Sequence, residues 1–166
     1  MTFENYSYSK TLNYTKLEMP FGSYYLCKNF CISELHEGVH FDWKKTELVI
    51  EKLIDFYGKN TKIGFISNRI NNYSIDPFNW KKAEEKYDLI VASAIVMYTS
   101  STYMNASIEK QFAKRNIKPC MSLKEAIDWM ESLIDFDQNS KVLPSSANST
   151  LSKTPLASSL KASILP

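Results

Sequence analysis

Apolar and polar positions along this chain change their period several times, and the changes mark out elements. Over residues 16–41 the pattern is that of strands. Gly22–Cys27 is aromatic and β-prone, Lys28-Asn29 suits a turn, and 30–37 returns; Pro20 and Gly22 separate this pair from an earlier short strand near Leu17. Thr46, Val49, Ile50, Leu53, Ile54 and Tyr57 then share one face of a helix, with Asp42 placed as its N-cap and Gly58 where it should stop. Residues 62–67 (KIGFIS) read as a buried strand. Asp76-Pro77 opens a second helix whose inner face carries Trp80, Ala83 and Tyr87. The run 89–97 (LIVASAIVM) lacks polar alternation and suits a central strand covered on both faces. Ser100 or Ser101 caps a third helix with Met104, Ile108 and Phe112 inward. Ile117–Cys120 is a brief strand. Ser122 and Glu125 form a capping box for a last helix that buries Leu123, Ala126, Ile127, Met130, Leu133 and Ile134.

The order β-β-β-α-β-α-β-α-β-α predicts one α/β domain over 16–138. Its sheet is mixed and mostly parallel, with about five or six strands and about four helices. Residues 1–15 are polar and tyrosine-rich without a period, which reads as a flexible N-terminus. Residues 139–166 read as a disordered tail rich in serine and proline, with nothing aromatic to bury.

Charge follows this division. The net charge is +2, but residues 140–166 carry Lys141, Lys153 and Lys161 and no acid, so the rest of the chain stands at −1. Such a body does not suit nucleic acid. The N-terminus has no apolar leader-like run, and 89–97 is too short to span a bilayer. The expected setting is cytoplasmic, with Cys27, Cys31 and Cys120 as free buried thiols. The glycines Gly22, Gly38, Gly58 and Gly64 show neither GxGxxG nor GxxxxGK spacing, which excludes a glycine-rich phosphate cradle, and no cofactor is expected.

Two segments carry candidate chemistry. His36-Glu37-Gly38-Val39-His40 spells HExxH. On a helix this motif places two histidines one turn apart to bind zinc, with the glutamate as base on a metal-bound water. That reading makes His36 and His40 ligands, Glu37 the base, and Glu47 or Glu51 the third ligand. The sequence context opposes it, because a β-like run precedes His36, Gly38 weakens a helix, and Asp42 already caps the next one. The second segment, 67–76 (SNRINNYSID), leaves a buried strand and enters a helix, the edge where ligands bind in open α/β sheets. Ser67, Asn68, Arg69, Asn71, Asn72, Tyr73 and Ser74 offer donors and acceptors there.

The arrangement resembles the STAS superfamily, in particular its SpoIIAA-like (STAS/CRAL-TRIO-like) proteins, over about residues 16–136. The likeness rests on the hairpin running through Glu37-Gly38-Val39-His40-Phe41-Asp42 into an amphipathic helix. It rests also on KIGFIS as the next strand and on the closing Ser122-Leu123-Lys124-Glu125-Ala126-Ile127-Asp128-Trp129. The resemblance implies a protein that is not an enzyme. Some members bind a kinase-like partner and are switched by phosphorylation of a serine in an Asp-Ser-Ser-Gly-like motif; others bind small ligands. The matching position here is Ser74, in Asn72-Tyr73-Ser74-Ile75, which lacks the motif's Asp, second Ser and Gly.

Two readings result: a non-catalytic module contacting a protein partner or small ligand through 67–76, and a small zinc-dependent hydrolase built on HEGVH. A strand across 33–41 favours the first and a helix the second.

Overall fold

The computed structural model describes residues 1–141, with side chains described through Leu133. Strands β1 (Tyr14–Met19), β2 (Gly22–Cys27) and β3 (Phe30–Leu35) form an antiparallel meander. Strands and helices then alternate: β4 (His40–Phe41), α1 (Trp43–Tyr57), β5 (Ile63–Asn68), β6 (Ser74–Ile75), α2 (Phe78–Tyr87), β7 (Ile90–Val96), α3 (Ser100–Phe112), β8 (Ile117–Cys120) and α4 (Leu123–Lys141). The main sheet has six strands in the order β1-β2-β3-β5-β7-β8, parallel from β3 onward. This is the single α/β domain expected from the alternation. The remainder of the expected tail, beyond Lys141, lies outside the described residues.

The order β3-β5-β7-β8 advances in one direction. Parallel crossovers share one hand, so α1, α2 and α3 all land on the same face. There Val49, Ile50 and Leu53 of α1 pack with Tyr24, Leu26, Cys31 and Leu35, while Ala106 of α3 packs with Ile95 and Ile117. Helix α4 alone serves the other face, burying Leu123, Ala126, Ile127 and Met130 against Ile66, Ala94 and Val96; Leu133 stays exposed.

One helix cannot cover six strands, and the N-terminal segment, expected to be flexible, packs into the gap. Phe3, Tyr6 and Leu12 fill the space that α4 leaves over β2 and β3. Ser7–Lys10 forms a 3-10 turn, and the Phe3 ring lies 4.6 Å from that of Tyr25 and 5.0 Å from that of Tyr14. The Glu34 carboxylate accepts the Phe3 N–H and an Asn68 amide hydrogen, both at 2.6 Å, and Asn68 also donates to the Met1 carbonyl at 3.1 Å. Most polar residues of 1–15 therefore face water, with Ser9 buried, while Phe3 is core and Tyr6 and Leu12 pack against it.

The local stop and start signals are used. The Asp42 carboxylate accepts the Lys45 N–H at 3.0 Å, and Gly58 ends α1 at φ +94°, a backbone that L side chains rarely adopt. The Asp76 carboxylate accepts the Phe78 N–H at 3.0 Å. Ser122 accepts from the Glu125 N–H at 3.1 Å, while the Glu125 carboxylate takes the Met121 N–H at 2.9 Å. Helix α3 departs from expectation twice. Its cap is Thr99, paired reciprocally with Thr102, rather than Ser100 or Ser101. Its buried face is Thr102, Ala106 and Glu109, which leaves Met104 and Ile108 exposed.

The N-terminal plug yields the first test. Phe3→Ala should cost roughly 3–5 kcal/mol, the usual range for deleting a fully buried phenyl ring, read as a lower midpoint in urea unfolding. A change within the error of the measurement would return 1–15 to the status of a free segment.

Candidate functional site

The HEGVH segment is not helical. Strand β3 ends at Leu35, Glu37-Gly38 form a turn with Gly38 at φ +74°, and His40 begins β4. Two histidines on either side of a turn do not share a helical face, so the zinc-hydrolase geometry is absent. Glu37 is engaged elsewhere: its carboxylate accepts the Asn72 N–H at 2.7 Å. Among the described residues no three His, Cys, Asp or Glu side chains are grouped to hold a metal ion.

The same segment has a structural use. Gly38 N–H donates to the Asn72 carbonyl at 2.7 Å, Ser74 N–H to Val39 at 3.0 Å, and His40 Nδ1 lies 2.8 Å from Ser74 Oγ. These bonds make β4 and β6 a small parallel sheet at the carboxyl ends of β3 and β5.

Loop 67–76, expected to present its polar groups outward, turns most of them inward. Ser67, Asn68 and Arg69 are buried. The Arg69 guanidinium donates to Glu109 at 2.6 Å, with both side chains nearly sealed from solvent (3% and 4% exposed). Glu109 also accepts the Trp80 indole N–H at 2.9 Å. The Tyr73 hydroxyl lies 2.9 Å from Ser67 Oγ, and its ring sits under the Arg69 guanidinium at 5.5 Å; burial raises its pKa, so it stays a neutral phenol. Asn71 donates to the Leu35 carbonyl at 2.8 Å. Asn72 and Ser74 remain exposed. The loop is thus a wall whose buried polar side chains are hydrogen-bonded.

What this wall closes is a cavity of about 80 Å³, partly open to solvent, between the sheet and helices α1 and α2. Its floor is Tyr24, Ser33, Phe65, Ser67 and Ser93. Val49, Ile50 and Leu53 of α1 roof it with Trp80, Ala83 and Tyr87 of α2, and Phe41 and Ile75 of the small sheet form its end. The space follows from side-chain size. Ser33 pairs with Ser67 across β3 and β5, and Ser93 sits beside Phe65 on the same face, so small side chains lie below an alanine-bearing helix. Sequence reasoning named Ser67 and missed the rest of this site, although a signal is present: Ser93 interrupts the apolar run of β7. Of the charged groups at the cavity, Glu84 accepts the backbone N–H groups of Lys114 and Arg115, and Arg115 is held by Asp88 and the Ile90 carbonyl.

The thiols stand apart from the cavity. Cys27 belongs to the core under α4 and Cys31 to the core under α1, so the two ends of the hairpin turn project to opposite faces. Burial raises the Cys27 thiol to about 12 and the Cys120 thiol to about 11, and it lifts Cys31 well above its ordinary value.

No protein-family model matches the chain, and no curated protein matches it. A solved structure that is similar is that of an uncharacterized protein from the DUF3478 family with a SpoIIAA-like fold, from Shewanella loihica PV-4. The match has 13% identity and a TM-score of 0.44, and covers 72% of this chain and 93% of that one. A likeness of this size assigns no ligand, partner or residue role.

Two tests follow from the geometry. Glu109→Leu strands a buried guanidinium and should cost roughly 3–5 kcal/mol, while adding Arg69→Met to it should restore much of that loss. Two losses that simply add would show the pair to be uncoupled. A thiol reagent at pH 7.5 should titrate all three cysteines in denaturant and essentially none in native protein; fast native labelling would contradict the burial described.

Proposed function

We propose that this chain is a non-catalytic, STAS-like binding module that holds a compact, largely apolar small molecule in the cavity beneath α1 and α2. The observation that carries this reading is the cavity itself: a roof of aliphatic and aromatic side chains, a floor with three serines, and an end wall whose polar side chains are paired. Pre-formed apolar pockets with a few convergent polar groups are the usual form of small-ligand sites. The location supports it too, since the wall stands at the carboxyl ends of the parallel strands.

Binding without turnover is favoured by the lining. Among the described residues its one carboxylate, Glu84, is committed to two backbone N–H groups, and no histidine, cysteine or lysine lines the cavity. Nothing there pairs a nucleophile with a base. Of the two partners anticipated from the sequence, a small ligand fits this geometry better than a protein docked on 67–76, because that loop spends its donors and acceptors internally. Its exposed Ser74 is occupied by His40.

The test is occlusion. A set of small neutral aromatic compounds should raise the melting temperature of the wild type; at a hundredfold excess over Kd, binding adds about 2.7 kcal/mol. Ala83→Phe, which fills the cavity from α2, should fold normally by circular dichroism and lose those shifts. Shifts that persist in Ala83→Phe would place binding elsewhere, and a wild type unmoved by every compound would remove the reading.

A further inference from the structure

Among the described residues, one buried side-chain polar atom has no hydrogen-bond partner in the protein: the hydroxyl of Tyr24. Tyr24 is fully buried on β2, and it lines the cavity. Elsewhere this chain satisfies its buried phenols. Tyr57 donates to the carbonyls of Cys27 and Phe30 at 2.6 and 2.9 Å, Tyr73 meets Ser67, and Tyr25 donates to Glu34 at 3.3 Å. An unpaired buried hydroxyl is costly, and phenylalanine would fill the same space without that cost. Tyr24 lines the cavity, so a molecule bound there, with a small shift of the lining, is the candidate partner for this sealed hydroxyl.

We infer that the Tyr24 hydroxyl is the polar anchor of the cavity, and that the ligand is an uncharged, mostly apolar molecule bearing a hydrogen-bond acceptor, such as a ketone or ester carbonyl. This rests on the binding function proposed above and specifies the ligand's chemistry. The acceptor follows from the state of the phenol: burial pushes its pKa well up, so the group that meets the ligand is a neutral O–H donor. The absence of net charge follows from the surroundings. Arg115 is held by Asp88 and the Ile90 carbonyl, and Glu84 by backbone N–H groups, so neither charge is offered to a ligand. An ionised ligand would enter an apolar space with no counter-charge. The Ser33 hydroxyl, next to Tyr24 in register, reaches the Ile66 carbonyl only at 3.5 Å, and Ser67 is engaged by Tyr73. Of the hydroxyls at the cavity, Tyr24 is thus the one both sealed from solvent and without a partner among the described residues.

The test uses two probes of nearly the same shape: acetophenone, with a carbonyl, and α-methylstyrene, with a methylene group in its place. Dissociation constants are measured by ligand-observed NMR for wild type and Tyr24→Phe. Acetophenone should bind the variant roughly threefold to tenfold more weakly, the usual worth of one neutral hydrogen bond, while α-methylstyrene should bind both alike. Ligand-free Tyr24→Phe should melt no lower than wild type. If both probes bind both proteins equally, the cavity reading stands and the anchor is overturned. If neither binds the wild type, the cavity reading fails and takes the anchor with it, water then being the partner of the hydroxyl. A lower melting temperature for ligand-free Tyr24→Phe would reveal a partner within the protein and also overturn the inference.

Discussion

A guanidinium sealed from solvent must have a counter-charge, and much of this molecule is arranged around meeting that demand at Arg69. Its partner, Glu109, comes from α3, forty positions along the chain. The bond fixes the rotation of α3, because Glu109 points inward only if Met104 and Ile108 point outward. It fixes α2 as well, since the Trp80 indole N–H shares the same carboxylate. It holds Tyr73 beneath the guanidinium, and Tyr73 in turn holds Ser67. A buried pair of this kind is weak evidence for net stability, because desolvation offsets most of its attraction. Its value lies in geometry: three segments distant in sequence acquire one mutual arrangement.

The second constraint is topological. A sheet that grows in one direction with crossovers of one hand collects its connecting helices on one face. The opposite face is left to α4 and to whatever else the chain can supply, and Phe3, Tyr6 and Leu12 supply it. On the crowded face the problem is reversed. Three helices compete for the sheet, α2 buries only Asn79 completely, and the strands beneath it carry serines. The cavity forms where a weakly amphipathic helix crosses small side chains.

These causes explain which features were legible in the sequence. The caps at Asp42 and Ser122, the stop at Gly58 and the buried face of α1 depend on residues within a turn or two of each other, and periodicity shows them. The face of α3 depends on Arg69, and no local pattern reveals a carboxylate pulled inward by a charge in another element. Met104, Ile108 and Phe112 were the natural apolar stripe without that knowledge. Loop 67–76 lies between a buried strand and a helix as expected, but most of its polar groups turn inward, which the sequence hides, because seven polar side chains broken only by Ile70 look solvated until their partners in Leu35, Glu109 and Glu37 are known. HEGVH was discounted for a sound local reason, Gly38, yet its use as one side of the β4–β6 sheet required a strand pairing over thirty-four positions.

The accounting of buried polar groups separates the two faces of the sheet and argues for where the chemistry lies. Under α4 and the N-terminal plug, the buried polar groups close on one another. Glu34 accepts from Phe3, Asn68 and Tyr25, and Asn68 accepts from the Tyr98 hydroxyl at 2.9 Å. Burial raises the pKa of Glu34, and three donors converge on it, so its polarity is spent on holding the N-terminus to the sheet. The end wall closes on itself in the same way through Arg69, Glu109, Ser67 and Tyr73. Polar groups committed to each other have little left for a ligand, however prominent they look in the sequence. The Tyr24 hydroxyl is the opposite case: it has no partner among the described residues, and the ligand proposed for the cavity would supply the one it lacks.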